Sequence, residues 1–259
     1  MNKTRIAIAL ILVFNYLNAQ RHEIGVSIGS ANVVGDIGNE SYVAPDNYSF
    51  QGFYKRNLNE RYSLRLNVGY ANLTMKDSEA EAQYRVDRNV KSDNKITEVS
   101  GIFEFNFFDF NGERRTGHTP YIFGGIGAVG HTEGDYNADI TTNATTGNPS
   151  AIISGKTKLT YSPIIPFGLG YKVKVRYNWV VAAELGFRYT FSDNIDQSNP
   201  NIAYTVSDTS LTEDQIKQVQ QDVENTYMIG NSNSKDWYTF AGISLAYTFG
   251  RPPCDCKRQ

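Results

Sequence analysis

The segment from residue 61 to residue 72 alternates apolar side chains with small or polar ones. Every second position in it is apolar or aromatic: Tyr62, Leu64, Leu66, Val68 and Tyr70. A period of two indicates a β-strand whose two faces meet different environments. The pattern returns between residues 178 and 191, with Glu184 and Arg188 on the opposite face. Each stretch is long enough to cross a bilayer as a tilted strand, which takes about 9–11 residues.

The start of the chain, residues 1–19, predicts a secretory signal peptide. Lys3 and Arg5 form a short basic region, residues 6–17 are largely apolar, and Ala19 is small enough for a cleavage site. The apolar run is shorter than the roughly 20 residues of a membrane-spanning helix. A membrane location therefore requires a closed β-barrel, which satisfies its own backbone hydrogen bonds in lipid.

Composition agrees with a barrel. The chain has 17 Tyr, 14 Phe and 22 Gly, which suits strands with an aromatic outer face. Its net charge of -2 argues against a general nucleic-acid binder, which should be strongly basic. The 2 cysteines, Cys254 and Cys256, lie at the extreme C-terminus and cannot staple the fold.

Eight segments predict strands, which is the number in the smallest outer-membrane barrels. They are residues 22–34, 48–57, 61–73, 96–108, 119–131, 162–176, 178–191 and 237–249. The predicted fold class is all-β: an antiparallel transmembrane outer-membrane β-barrel of about eight strands with a plugged polar lumen. The barrel occupies residues 20–250, and residues 251–259 form a C-terminal tail.

The predicted connections alternate in length. Those after the second, fourth and sixth strands are short, whereas residues 35–47, 74–95, 132–161 and 192–236 form long connections. Outer-membrane barrels have short periplasmic turns and longer external loops. The sequence therefore predicts an outer-membrane, multi-pass barrel with both termini in the periplasm.

The two faces of the predicted strands differ in chemistry. Aromatic residues near strand ends predict interface girdles: Tyr48, Tyr62, Tyr70, Phe107, Tyr121, Tyr171, Trp179, Tyr189, Trp237 and Phe249. Charged residues on the opposite face predict a network inside the lumen: Arg65, Glu98, Glu104, Lys172, Lys174, Glu184 and Arg188. An eight-stranded barrel is only wide enough for its own side chains, so these acids and bases should pair across it. A soluble lipocalin-type barrel, the alternative, would carry its charges on the outside.

The predicted periplasmic edge is basic. Its cations are Arg21, Lys55, Arg56, Arg61, Arg114, Arg115, Arg176, Arg251, Lys257 and Arg258. Its acids are fewer: Glu23, Glu60, Asp109, Glu113 and Asp255. This charge predicts docking of an acidic protein surface, with a solvated edge beside anionic lipid as the alternative. Cys254 and Cys256 would bond to a partner, contribute half of a zinc site, or remain unpaired.

The long connection at residues 192–236 carries two further signals. Thr212 and Gln215 fit a helix capping box, and apolar residues follow at helical spacing, which predicts an amphipathic helix packed on the protein's own loops. Asp193 and Asp196 lack the spacing of a calcium loop, so we expect them to be solvated.

The sequence contains one candidate catalytic triad. His131 is the only histidine expected at the external end, and Ser162 with Glu133 would complete a triad. Nothing in the spacing singles these residues out. The sequence therefore predicts a protein that is not an enzyme and has no cofactor or metal, with a lipid-acting barrel enzyme as an alternative.

Five segments resemble one family of outer-membrane barrels. They are residues 35–38 (GDIG), 104–109 (EFNFFD), 119–127 (TPYIFGGIG), 165–170 (IPFGLG) and 236–242 (DWYTFAG). In this order they are similar to the PorG family, a component of the type IX secretion system of Bacteroidetes, which exports proteins and, in gliding species, adhesins. The long last loop and the Cys-x-Cys tail depart from the family pattern.

The resemblance implies partners and a role. It implies association with a periplasmic ring built from a PorK-like lipoprotein and a PorN-like protein, in contact with outer-membrane lipid and without nucleic acid. It also implies a non-enzymatic part in protein transport. A free-standing structural barrel of the OmpA/OmpX type is the remaining alternative.

Overall fold

The computed structural model describes residues 21–39, 41, 47–112, 116–143, 145–176, 178–231 and 235–250. The strands are β1 (His22–Val34), β2 (Asn47–Asn57), β3 (Tyr62–Lys76), β4 (Lys91–Asn106), β5 (Gly117–Thr142), β6 (Pro149–Arg176), β7 (Trp179–Thr190), β8 (Asn201–Val206) and β9 (Trp237–Phe249). The helices are α1 (Gln83–Arg88) and α2 (Glu213–Tyr227), and Asp77–Glu79 forms a 3-10 turn.

Eight of the nine strands close into a ring. Each of β1 to β6 pairs antiparallel with the next strand along the chain, and β9 pairs with both β7 and β1 to complete the barrel. The predicted all-β class and all eight predicted strands are confirmed. The connections after β2, β4 and β6 are short and define the short-turn end. Those after β1, β3, β5 and β7 lie at the long-loop end.

Alternation along each strand separates an apolar outside from a polar inside. Leu66 and Val68 are 52% and 57% exposed on the outer face, whereas Arg65 and Asn67 between them are 6% and 2% exposed in the lumen. β-branched and aromatic side chains fit the pleated outer surface. The charged side chains lie on the opposite face, close to one another in the lumen. This inversion of a soluble protein's surface is typical of transmembrane barrels.

The sequence predicted a loop at residues 132–161. In the structure this segment is the outer half of a long hairpin. β5 and β6 stay in register from Thr132 opposite Leu159 to Thr142 opposite Pro149, well above the point where β4 and β7 leave them. The prediction was wrong because the apolar alternation of the barrel stops near His131. Backbone pairing continues there without it.

A side lobe stands on this hairpin. It consists of the outer halves of β5 and β6, the short strand β8 and helix α2. β8 was not predicted, and it pairs parallel with β5 from Asp135 opposite Asn201 to Ile140 opposite Val206. The predicted helix is confirmed: both hydrogen bonds of its capping box are present, and Val219 and Val223 pack on Ala138 and Ile140.

Helix α2 therefore packs on the protein's own hairpin, as predicted. None of the helices in the described residues is long and apolar enough to span a membrane.

Candidate functional site

Glu104 is the centre of the lumen charge network. It is fully buried, and its Oε1 accepts hydrogen bonds from Lys172 and, at 3.2 Å, from Lys55. Lys55 Nζ also lies 3.0 Å from Oε2 as an ion pair. Lys55 also lies 3.5 Å from Oε2 of Glu23. The strands bring these groups together because β2, β4 and β6 each point an inward residue at the same level. Buried charges persist only when paired, and here each acid faces a base.

A second unit lies beside it. Arg65 donates to both carboxylate oxygens of Glu184, at 2.6 Å and 3.1 Å, and Tyr121 donates to Oε2 at 2.9 Å. The guanidinium also lies 5.0 Å from the centre of the Phe123 ring. A bidentate Arg–carboxylate pair is among the stronger polar contacts available to a protein. Gly170 leaves the space that the Tyr121 ring occupies.

A third unit lies towards the long-loop end. Arg188 Nε donates to Glu98 Oε2 at 3.2 Å, and the Tyr238 hydroxyl donates to the same oxygen at 2.9 Å. Arg188 also lies over the ring of Phe240, 5.4 Å from its centre. Ser100 donates to the other oxygen of Glu98. Tyr238 was not singled out in the sequence, because its apolar neighbours gave no sign of an inward hydroxyl.

The connection between β4 and β5 folds into the short-turn end of the lumen. Phe110 is buried there against Phe53, Val180 and Ala246. Lys174 donates to the carbonyls of Phe110 at 2.8 Å and of Gly112 at 3.3 Å. The seven residues predicted for the lumen network all point into the barrel, and the cavity found beside Glu98 and Tyr238 holds only about 10 Å³.

Four residues predicted elsewhere belong to the lumen instead. Arg21, Glu23 and Lys55 were placed on the periplasmic edge, and Tyr121 in the aromatic girdle, but each is buried inside the barrel. The pairing of Glu23 with Lys55 across β1 and β2 shows the reason, because both positions share the inward parity of their strands. Distance from the strand end was a poor guide to which face a residue occupies.

The short-turn end carries part of the predicted basic edge. Arg176 is exposed there, and Arg61 forms a 2.5 Å ion pair with Asp109. The remaining candidates for partner binding lie outside the described residues: Arg114, Arg115, Arg251, Cys254, Cys256, Lys257 and Arg258. Their role stays a prediction.

Three segments at the long-loop end close the barrel mouth and are called the cap here: residues 35–39, 77–90 and 192–198, with Asp236. Asp196 was predicted to be solvated, but it is fully buried. Its Oδ2 accepts the N–H groups of Asp36 (2.6 Å) and Ile37 (3.2 Å), and its Oδ1 accepts that of Ser198. The prediction failed because residues 35–39, which are distant in sequence but follow the nearby strand β1, fold over Asp196.

Asp236 lies against Asp196 in the cap. Its Oδ2 accepts the N–H groups of Ile195 (2.8 Å) and Asp196 (3.4 Å). A Cβ atom on Gly35 would lie 2.6 Å from Asp196 Oδ2 and 2.7 Å from Asp236 Oδ1, so only glycine fits between the carboxyl groups. Burial, followed by the charge of Asp196, raises the pKa of Asp236 to about 8. Burial also raises the pKa of Asp196.

Asp77 has the opposite environment within the same cap. Arg88 donates to both of its oxygens, at 2.7 Å and 3.0 Å, and Gly38 and Val90 donate backbone N–H groups. Burial alone would raise the pKa of Asp77, but these donors outweigh it and lower the pKa. Arg88 also donates to the carbonyl of Asp36, which ties the segment after β3 to the segment after β1.

The proposed catalytic constellation meets in space but lacks triad geometry. His131 Nε2 lies 3.0 Å from Ser162 Oγ and 3.7 Å from Glu133 Oε1, so both partners share one ring nitrogen. Nδ1, which an orienting acid should contact, has no partner among the described residues. The ring is fully buried. In the part of the chain that the structure describes, no group of three or more His, Cys, Asp or Glu is arranged to hold a metal.

A ring of eight antiparallel strands, with an apolar outside and a filled polar lumen, defines an outer-membrane-type β-barrel. Within that class, the chain belongs to the family described as Domain of unknown function (DUF6089), whose model matches residues 2–258. No curated protein matches the sequence.

Similar solved structures are also outer-membrane barrels at low identity. A major outer membrane protein from Thermus thermophilus is 12% identical, with 89% of this chain and 100% of that chain covered and a TM-score of 0.46. OprG of Pseudomonas aeruginosa is 9% identical, with 90% and 97% covered and a TM-score of 0.43. Ail, the attachment invasion locus protein of Yersinia pestis, is 11% identical, with 89% and 99% covered and a TM-score of 0.42.

Proposed function

We propose that this protein is a non-enzymatic outer-membrane component of the type IX secretion machinery that anchors or organises a periplasmic lipoprotein ring. The observation that carries the proposal is the filled lumen. Ion pairs occupy its length, Phe110 closes one end and the cap closes the other. A barrel without an open conduit acts through its surfaces, as an anchor or a docking platform does.

The proposal places the short-turn end and both termini in the periplasm. Short periplasmic turns and larger external loops are the rule for such barrels. The side lobe and the cap are then external, and the basic short-turn end faces the ring. Arg61 and Arg176 belong to that face, and the predicted Arg114 and Arg115 would extend it. Complementary charge would set the orientation of docking more than its affinity.

Partner identity is tested by a pull-down from outer membranes in mild detergent. An affinity tag inserted in the hairpin turn at Asn148, far from the short-turn end, leaves the periplasmic face untouched. Mass spectrometry should recover a PorK-like lipoprotein and a PorN-like protein with the barrel. Recovery of a solitary barrel would contradict the proposal and favour a free-standing structural protein or a lipid-acting enzyme.

The docking surface is tested by charge reversal. Arg114→Glu together with Arg115→Glu should lower the recovered ring protein by about tenfold, since a like-charge contact replaces an attractive one. Lys217→Glu, on the exposed face of α2 at the opposite end, is the matched control and should leave recovery unchanged. Equal recovery from both variants would remove the basic edge from the proposal while leaving the ring association standing.

A further inference from the structure

The outer half of β6 has an unpaired edge. β7 joins β6 only from Ile164 onwards, whereas β6 continues to Pro149 in the side lobe. β5 covers the other edge of β6 along this whole length. The lobe thus presents a strand edge above the barrel, in the space directly beyond the end of β7.

Two hydrogen bonds fix which backbone groups point to that edge. Asn143 donates its N–H to the carbonyl of Asn148 at the hairpin turn, and Phe191 donates to the carbonyl of Pro163 at the end of β7. Antiparallel ladders alternate, so even-numbered residues of β6 bond to β5 and odd-numbered ones point away from it. The N–H and C=O groups of the odd-numbered residues 151–161 therefore point outwards. They have no backbone partner within the described residues.

The side chains along this edge differ on its two faces. Lys156 and Lys158 are exposed on the face that continues from the lumen. Asp135 lies opposite Lys156, and Glu133 lies opposite Lys158 and accepts a hydrogen bond from Thr160. Within the described residues, neither lysine forms an ion pair with these acids. The other face carries Leu159 and Tyr161, which are 54% and 69% exposed. An open depression of about 710 Å³ is lined by Tyr136 of β5 and by Gly155, Lys156 and Thr157 of β6.

We propose that residues 151–161 of β6 form a strand-addition site for an extended, acidic segment of a partner protein outside the cell. Long exposed edges are templates for pairing, and main-chain hydrogen bonds would supply the affinity. Alternate acidic side chains would lie beside Lys156 and Lys158, and apolar ones beside Leu159 and Tyr161. The same lysines disfavour pairing of two copies of this chain, because an antiparallel copy would bring like charges together. The site does not depend on the periplasmic ring.

The probe is a fluorescein-labelled peptide of alternating Glu and Val, as long as the free edge, with a peptide of alternating Lys and Val as its counterpart. Fluorescence anisotropy measures binding to the full-length barrel in detergent micelles. The acidic peptide should bind at least about tenfold more tightly than the basic one, a difference of about 1.4 kcal/mol. Equal affinities would overturn the proposal, as would a dimer of the barrel in the absence of peptide.

Three variants separate strand addition from simple charge attraction. Thr157→Pro removes one outward N–H and places a ring on the edge, yet leaves the bonds between β5 and β6 intact, so binding should fall by about tenfold. Thr157→Ala keeps the N–H and should bind like the parent. Lys156→Glu with Lys158→Glu should reverse the preference between the peptides. Undiminished binding by Thr157→Pro, or an unreversed preference in the double variant, would overturn the proposal.

Discussion

The lumen and the Asp196–Asp236 pair of the cap bury carboxyl groups in two different ways. In the lumen, Glu104 and Glu184 each face cationic side chains, and their negative charge is balanced within hydrogen-bond distance. In that pair, the two carboxyl groups face each other and accept hydrogen bonds from backbone N–H groups. The first arrangement is stable while its cationic partners are present, and the second while the raised pKa keeps a proton on the pair. The two regions should therefore respond to different perturbations.

The largest effect is expected from Glu104→Gln in the lumen. The substitution removes the carboxylate that pairs with buried Lys172 and leaves Lys55 with only Glu23, 3.5 Å away. Removing one partner of a buried ion pair costs about 3–5 kcal/mol. The free energy of unfolding should fall by that amount in urea titrations of the barrel in lipid vesicles. The fluorescence of Trp179 and Trp237 reports the transition.

Glu79→Gln is the matched control for this prediction. Glu79 forms an ion pair with Lys76 at 2.7 Å, but both side chains are more than two-fifths exposed. Exposed pairs contribute at most about 1 kcal/mol. If the two variants lost equal stability, the lumen network would not be the source of the barrel's stability.

A smaller, pH-dependent effect is expected from the cap. The pKa of Asp236 is raised to about 8 in the folded protein, against about 3.9 in an unfolded chain. Between these values the unfolded state has lost a proton that the folded state keeps, so stability falls as pH rises from about 4 to about 8. Asp236→Asn removes this titrating carboxyl group. The plot of the urea midpoint against pH should therefore become flatter between about pH 4 and about pH 8.

Asp77→Asn should change the dependence of stability on pH in the sense opposite to Asp236→Asn. The pKa of Asp77 is lowered in the folded state, so its contribution is present above the unfolded pKa of about 3.9 and lost as pH falls through the folded value. Limited proteolysis of the loop at residues 77–90 measures the loss directly. Identical profiles for the two variants would show that the acids of the cap titrate alike, contrary to their surroundings.

The smallest effect is expected outside both regions, at the start of α2. Thr212 accepts the N–H of Gln215 and caps the helix. Thr212→Ala should cost about 1 kcal/mol, confined to the side lobe, because the barrel strands do not depend on it. Hydrogen exchange of the α2 amides should accelerate while the lumen amides stay protected. Faster exchange in the barrel strands would mean that lobe and barrel unfold together.

Sequence reasoning identified the barrel strands because a strict period of two, sustained along a whole segment, is typical of a strand with two unlike faces. It identified Glu104 and Arg65 as lumen residues for the same reason. It missed the pairing of Asp196 with Asp236, because long-range contacts between loops leave no periodic trace. β8 was missed although Ile202, Tyr204 and Val206 alternate in it, because six residues inside a long connection are too short for alternation alone to separate strand from loop. Lys55 was placed on the periplasmic edge because it is near a strand end. Its position in the alternation of β2 shows instead that its side chain points into the lumen.

The seam between β1 and β9 joins the first and last strands of the barrel. Thirteen residues of β1, His22–Val34, meet their partners in Trp237–Phe249. β9 follows all the other strands in sequence, so the barrel cannot close until all of its strands have been synthesised. Until then β1 keeps an unpaired edge that must be shielded in transit. Contacts this distant in sequence also slow folding. Assembly, more than the final stability, is therefore the stage at which this protein is most exposed to misfolding.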